Sequence, residues 1–113
     1  MRHEIKEQDG VIIVAIEGDV DLQSSPEVRK ILLESVARKA SVVVDMSGIG
    51  YIDSSGVASL VEALQTARKG GTSFSLAALS DGASRVLQLA RLDKIFTIYD
   101  ALDEALAQEM AKG

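Results

Sequence analysis

The chain contains no cysteine, no tryptophan, one proline and one histidine. The absence of cysteine excludes disulfides, thiol catalysis and cysteine-ligated metal sites. The single histidine, His3, lies near an end of the chain, where fraying is common, so we interpret it as a surface residue and not as a catalytic base. No hydrophobic run approaches the roughly 20 residues of a membrane-spanning helix, and the first residues lack the apolar stretch of an export signal. We therefore expect a cytoplasmic protein that does not insert into membranes.

Positive charge is also in short supply, because 12 Lys and Arg residues are set against 17 Asp and Glu residues, for a net charge of −5. An acidic chain without a basic cluster is repelled by phosphate backbones, so we expect no nucleic-acid partner. Hydrophobic residues make up 47% of the 113 positions, which suffices for a core without metal or disulfide support. The length suits one domain, residues 1–113, and no long linker or internal repeat divides it.

Alternating segments predict a sheet flanked by helices. Asp9-Gly10 separates two extended segments, residues 4–8 and 11–16, and Asp-Gly is a strong hairpin signal because both residues tolerate positive φ. A polar loop over residues 18–23 follows, and Ser24-Ser25-Pro26-Glu27 then predicts a helix capped by either serine, with Ser24 forming a capping box with Glu27. Further strands are predicted at residues 41–46, 72–79 and 95–99, and further helices from about 54 to 69, from 80 or 81 to about 90, and from a cap at Asp100 onward.

The order β-β-α-β-α-β-α-β-α predicts an α/β fold with four helices. Strands that alternate with helices pair in parallel, whereas the opening hairpin is antiparallel, so we expect a mostly parallel sheet. The last helix is predicted to bury Leu102, Ala105, Leu106 and Met110 on its apolar face. Open sheets of this kind bind ligands beyond the carboxyl ends of their strands, which directs attention to residues 45–56.

The glycines of this segment do not form a nucleotide-binding motif. Gly48-Ile49-Gly50-Tyr51-Ile52-Asp53 begins like a dinucleotide fingerprint, but its last position places a negative charge where a pyrophosphate would lie. The chain also lacks the Gly-Lys-Ser or Gly-Lys-Thr triplet of a phosphate-binding loop. We therefore predict no nucleotide cofactor.

Hydrolytic and metal chemistry are equally poorly supported. Ser54 and Ser55 lack the Gly-x-Ser-x-Gly elbow, and no histidine is placed to act as their base. A convergent metal site would have to use four carboxylates for which turn or capping roles are the simpler interpretation, namely Asp19, Asp21, Asp45 and Asp53. We predict no catalytic residue, no metal and no enzymatic activity.

Ser54 remains as a candidate phosphate acceptor at the start of a predicted helix. A serine in the first turn exposes its hydroxyl, and the unpaired N–H groups and positive end of the helix stabilise an added phosphate. On local features alone, however, a plain N-cap is the favoured interpretation of Ser54, because capping serines are common.

Phosphorylation of Ser54 would add about −1.5 to −2 charges near neutral pH. No Lys or Arg lies between Lys39 and Arg68, and Asp53 is adjacent. Asp19 and Asp21 lie nearby if their loop is at the same edge of the sheet. We therefore expect the phosphate to act by local repulsion and by spoiling a partner surface.

The segment around Ser54 resembles the STAS domain, the family of bacterial anti-sigma factor antagonists. The specific part of the likeness is Tyr51-Ile52-Asp53-Ser54-Ser55-Gly56-Val57, and the likeness extends from about residue 4 to residue 107. It is supported by Val42-Val43-Val44-Asp45-Met46-Ser47, by Leu60, by Glu17-Gly18-Asp19-Val20-Asp21 and by the segment from Leu87 to Ile98. The fold implied by the resemblance agrees with the predicted element order.

The resemblance implies roles for individual residues. Ser54 is the phosphoacceptor, with Ser55 as the alternative, and Asp53 positions the acceptor and caps the helix. Asp21 matches an acidic loop residue near the acceptor, and Gly56 lets the partner approach closely. Together with Asp19, these residues form the expected partner-binding surface.

The resemblance also implies a partner-switching cycle. The unphosphorylated protein binds an anti-sigma factor that is a serine kinase of the GHKL type, which ejects it by phosphorylation, and a PP2C-type phosphatase restores it. The main alternative is a STAS subunit that regulates the ATPase of an ABC-type lipid transporter. A regulator of type III secretion or of a second-messenger pathway is a third possibility.

Overall fold

The computed structural model describes residues 1–112, which form five strands and four helices in the predicted order. The elements are β1 (Arg2–Gln8), β2 (Val11–Val20), α1 (Ser25–Val36), β3 (Ser41–Ile52), α2 (Ser54–Gly70), β4 (Phe74–Ala77), α3 (Asp81–Leu89), β5 (Thr97–Tyr99) and α4 (Leu102–Lys112).

The strands form one sheet in the order β1-β2-β3-β4-β5. β1 and β2 are antiparallel and all other neighbours are parallel, which confirms the predicted fold class. Asp9 and Gly10 close the hairpin with φ of 51° and 81°, and positive φ at both central residues is the turn geometry that matches strand twist. The parallel strands β2, β3 and β4 all end at one edge of the sheet, and this edge carries the candidate site.

The sheet lies between two hydrophobic cores because successive strand residues point to opposite faces. On one face, Val14 and Val44 belong to a core that also contains side chains of α1, α2 and α3. On the other face, Ile13 and Val43 pack with Ala105 of α4. None of the helices within residues 1–112 is long and apolar enough to cross a membrane.

The predicted loop over residues 18–23 and the glycine-rich segment over residues 45–56 are both partly strand. β2 continues to Val20 and β3 to Ile52, and these two residues pair with each other. The register shifts between Ala15 and Glu17 and again between Gly18 and Asp19, so irregular pairing accommodates the glycines and aspartates that suggested a loop. The predicted loop over residues 18–23 therefore shrinks to the few residues between Val20 and Ser25.

The helix starts differ from prediction in their capping. Ser24 precedes α1 but makes no side-chain cap, so its predicted capping box with Glu27 is wrong. Ser80 does cap α3, where its Oγ accepts a hydrogen bond from the backbone N–H of Ala83 at 3.2 Å. α4 begins at Leu102, so Asp100 lies two residues before the helix and is not its N-cap, contrary to the prediction.

The closing helix buries a carboxylate where an apolar side chain was predicted. Glu109 is 1% exposed, whereas Met110 is 40% exposed. Glu109 Oε2 accepts hydrogen bonds from Tyr99 Oη at 2.8 Å and from Lys112 Nζ at 2.9 Å, and Oε1 accepts one from Ser73 Oγ. Burial raises the pKa of Glu109, but the hydrogen bonds from Ser73, Lys112 and Tyr99 outweigh it, so the net pKa is lowered. The ionised carboxylate therefore fastens α4 to the sheet.

We predict that Glu109→Gln lowers the free energy of unfolding by about 2 kcal/mol at pH 7, because bonds to a charged acceptor become bonds to a neutral amide. A carboxyl with a lowered folded pKa stabilises the protein above its unfolded pKa, and this contribution is lost as the pH falls through the folded pKa. The difference between wild type and Glu109→Gln should therefore shrink below about pH 4. Urea unfolding from pH 7 to pH 3 measures it, and a pH-independent difference would contradict the assignment.

Candidate functional site

The candidate site lies where β2 and β3 end side by side. Asp19 pairs with Tyr51 and Val20 pairs with Ile52. The backbone N–H of Asp53 then donates to the carbonyl of Val20 at 3.0 Å, which ties the start of α2 to the end of β2. The structure therefore brings the two acidic segments around Asp19 and Asp53 to the same edge of the sheet.

Asp53, and not Ser54, is the N-cap of α2. Its Oδ1 accepts hydrogen bonds from the backbone N–H of Ser55 at 2.9 Å, the backbone N–H of Gly56 at 3.2 Å and the hydroxyl of Ser55 at 2.5 Å. The interpretation of Ser54 as a plain cap is therefore wrong. The hydrogen bond from the Ser55 hydroxyl lowers the pKa of Asp53, with further help from the backbone N–H groups of Gly56, Ser55 and Leu22, while partial desolvation opposes it.

Ser54 occupies the first position of α2 and is exposed. Its hydroxyl makes no hydrogen bond to any other residue in the described part of the chain. Ser55 differs in both respects, since it is half-buried and its hydroxyl is held by Asp53. The two adjacent serines are therefore chemically distinct, and Ser54 alone presents an unengaged nucleophile to solvent at the positive end of a helix.

Gly56 has a different role from the one expected. It is buried, and a Cβ added to it would lie 2.6 Å from Val20 Cγ1 and 2.7 Å from Ile52 Cγ1. The missing side chain therefore points into the protein, where its absence lets the first turn of α2 pack on the strand ends. The close approach that Gly56 permits in this structure is therefore the packing of α2 against Val20 and Ile52.

The loop after β2 uses its acidic side chain to hold its own shape. Asp21 Oδ1 accepts hydrogen bonds from the backbone N–H groups of Gln23 at 3.0 Å and Ser24 at 3.1 Å, and from Ser24 Oγ at 3.2 Å. Such a carboxylate is a turn former. Asp45 behaves likewise with Ser47, whose backbone N–H donates to it at 3.0 Å. No group of carboxylates within residues 1–112 is arranged to hold a metal ion.

The glycine-rich segment is strand and not a phosphate-binding turn. Gly48 and Ile49 pair with Glu17 and Gly18 as part of β3. A dinucleotide fingerprint requires a tight turn between a strand and a helix at its glycines. The local structure therefore lacks the arrangement that the first part of the motif suggested.

Two exposed apolar side chains accompany the site, and sequence reasoning missed both. Leu22 is 76% exposed in the loop after β2, and Tyr51 is 53% exposed near the end of β3. The sequence signal that could have revealed Leu22 is a single apolar residue inside a polar loop, as in Asp21-Leu22-Gln23. Large exposed apolar residues beside polar groups are typical of protein-binding surfaces.

The charges at this end of the molecule are mostly acidic. Asp19 is exposed and Asp21 is half-buried at the strand end, and Asp53 lies beside them. On the neighbouring helix, Arg29 is engaged by Glu62 of α2, with Arg29 Nη2 and Glu62 Oε2 2.7 Å apart. Arg29 of α1 is therefore already paired with a carboxylate.

The STAS domain family model matches residues 2–105. The Anti-sigma-B factor antagonist of Bacillus subtilis is 27% identical over 95 residues, covering 84% of this chain and 87% of that protein. The Anti-sigma F factor antagonist of Paenibacillus polymyxa is 26% identical over 107 residues, covering 93% and 92% of the two chains. The crystal structure of an anti-sigma factor antagonist from Mycobacterium paratuberculosis has a TM-score of 0.88 at 28% identity, covering 96% of this chain and 92% of that one. The resemblance inferred from the sequence is confirmed.

We predict that Asp53→Ala lowers the urea midpoint of unfolding more than Ser54→Ala does, because only Asp53 accepts hydrogen bonds from the first turn of α2. Asp53→Asn is the matched control, since asparagine is also a good N-cap, and it should retain most of the stability. A larger loss for Ser54→Ala than for Asp53→Ala would contradict the assignment of the cap.

Proposed function

We propose that this chain, which belongs to the STAS domain family, is an anti-sigma factor antagonist that releases its partner when Ser54 is phosphorylated. The observation that carries the proposal is the exposed, unengaged hydroxyl of Ser54 at the first position of α2. The names of two relatives, which describe antagonists of anti-sigma factors, support the class of function. On this proposal the chain is a regulatory binding protein and not an enzyme.

Ser54 receives the phosphate from Mg-ATP held by the partner kinase. Its Oγ attacks the γ-phosphorus, a new O–P bond forms, and the bond from the γ-phosphorus to the bridging oxygen of ADP breaks. ADP leaves and the hydroxyl proton passes to a base or water in the kinase site. Within this chain, the Asp53 cap fixes the start of the helix and thereby the position of Ser54.

Ser55 is the weaker candidate for the acceptor. Its hydroxyl donates to Asp53 Oδ1 at 2.5 Å and it is half-buried. Phosphorylation there would remove a hydrogen bond from the cap and place the phosphate against the Asp53 carboxylate. Both effects oppose the modification.

The surface around Ser54 supplies the means to bind a protein when the serine is neutral. Leu22 and Tyr51 are exposed apolar side chains close in sequence to Asp21 and Asp53, and they would bury their surface against the partner. Asp19 and Asp21 form the acidic rim and favour a partner with basic side chains. The proposed partner-binding surface differs from the one that the resemblance implies. It includes Leu22 and Tyr51, and it does not include Gly56.

Phosphorylation then ends binding because it adds negative charge to the surface that the partner contacts. The added −1.5 to −2 charges lie beside Asp53 and within the acidic rim. Docking would bury the phosphate in an interface that accommodated a neutral hydroxyl, and desolvating an unpaired charge is costly. The partner is therefore released without a rebuilding of this chain.

The partners implied by this cycle are a serine kinase of the GHKL type, which acts as the anti-sigma factor, and a PP2C-type phosphatase that removes the phosphate. The geometry supports the acceptor side of this cycle, because an exposed serine on a rigid helix start is accessible to both enzymes. The phosphatase returns Ser54 to its hydroxyl form by hydrolysis of the ester.

We predict that the kinase recovered as the binding partner labels wild type and Ser55→Ala, and fails to label Ser54→Ala. Incorporation of phosphate from labelled ATP measures this. Since the Ser54 side chain does not cap α2, Ser54→Ala should unfold at the wild-type midpoint. This measurement separates loss of the acceptor from loss of the fold. Full labelling of Ser54→Ala would contradict the assignment of the acceptor, and an ABC-type ATPase as the main copurifying protein would contradict the proposed function.

The charge mechanism is tested by Ser54→Asp against Ser54→Asn, which have the same shape and differ in charge. We expect Ser54→Asp to weaken kinase binding at least about tenfold, equivalent to about 1.4 kcal/mol, and Ser54→Asn to bind far closer to wild type. Isothermal titration calorimetry measures both. Equal affinities for the two variants would show that charge is not what ends binding.

A further inference from the structure

The hairpin strand β1 forms an open edge of the sheet. It lies at the end of the strand order, and all seven of its residues are exposed. Ile5, at its centre, is 43% exposed although it lies opposite Val14 of the core. The strand therefore combines unpaired backbone groups with an apolar residue at its midpoint, and an open edge of this kind is a template for pairing with another strand.

The register of the hairpin identifies the backbone groups that face outward. Gln8 and Val11 close a two-residue turn, and the pair that closes such a turn exchanges hydrogen bonds. Hydrogen-bonded and non-bonded pairs alternate from there along an antiparallel ladder. The N–H and C=O groups of His3, Ile5 and Glu7 therefore point away from β2, toward the open edge.

We propose that β1 binds β1 of a second copy of this chain in an antiparallel pair centred on Ile5. In this register the outward groups of Ile5 bond those of Ile5 in the second copy, and those of His3 bond those of Glu7. The two five-stranded sheets then join into one sheet across a two-fold axis, which is the symmetry expected of a homodimer. The two Ile5 side chains cover each other on the face that carries the main core.

The charges of β1 select this register. Glu4 of each copy lies opposite Lys6 of the other, in the non-bonded pairs whose side chains approach most closely. These two residues already attract each other within one strand, with Lys6 Nζ and Glu4 Oε1 3.1 Å apart. Charged edge strands generally oppose pairing, but the order of charges here is self-complementary.

Neighbouring registers place like charges together. A slip of two residues in one direction sets Glu4 opposite Glu4 and Arg2 opposite Lys6. A slip in the other direction sets Lys6 opposite Lys6. Like charges directly opposite each other destabilise a strand pair. Of these three registers, only the one centred on Ile5 gives two attractive pairs and no repulsive one.

The contact is small, since it consists of one short strand from each copy. It falls below the area of a standard stable interface, so the dimer should form at high protein concentration and dissociate on dilution. Sedimentation equilibrium of the purified chain from about 10 µM to about 1 mM covers the affinity expected of such a contact. We expect the weight-average mass to rise from that of a monomer toward that of a dimer.

Charge exchange provides the specific test. Glu4→Lys alone and Lys6→Glu alone each replace two attractive pairs by two repulsive ones, and each should weaken dimerisation at least about tenfold. The double variant Glu4→Lys/Lys6→Glu restores opposite charges and should dimerise like wild type. An equimolar mixture of the two single variants should form the mixed dimer. All the substituted side chains are exposed, so circular dichroism should be unchanged.

Several outcomes overturn the proposal. The proposal is wrong if the wild-type chain stays monomeric over the whole concentration range. It is also wrong if a dimer survives both single substitutions, because its contact must then lie elsewhere. A double variant that remains monomeric also contradicts the register. The measurement requires neither kinase nor phosphate, so its failure is distinct from a failure of the proposed role of Ser54.

Discussion

Asp53 joins the start of α2 to the end of β2. Its Oδ1 caps the first turn of α2 through the backbone N–H groups of Ser55 and Gly56, and its own backbone N–H donates to the carbonyl of Val20 at the end of β2. The end of the sheet and the helix start therefore hold each other in place, and Ser54 is left at the first position of α2, facing solvent.

This constraint explains why a change of charge at Ser54 can act without a change of fold. The first turn of α2 cannot move inward, because Gly56 already packs against Val20 and Ile52 at distances that leave no room for a methyl group. The Asp53 cap also fixes the position of this first turn. A phosphate on such a rigid turn alters the electrostatic surface that a partner meets, while the packing beneath it stays the same.

Much of the fold follows from patterns that are local in sequence. The Asp9-Gly10 turn, the apolar strands and the helical stripes predict the element order, because each depends on residues within a few positions of one another. The extension of β3 through Gly48 and Gly50 depends on pairing with β2. This pairing is non-local, and the glycines in the segment suggest a turn, so the sequence does not reveal the strand. Sequence alone also could not choose between Asp53 and Ser54 as the cap, since both are good capping residues. The burial of Glu109 escaped prediction because its partners come from distant strands.

The most direct test of the central claim is a crystal structure of the chain phosphorylated at Ser54. We predict that α2 still begins at Ser54, that Asp53 still accepts hydrogen bonds from Ser55 and Gly56, and that the phosphate stands in solvent while Arg29 keeps its contact with Glu62. An unwound first turn of α2, or a basic side chain such as Arg29 closed over the phosphate, would contradict the claim that charge on a rigid surface is what ends binding.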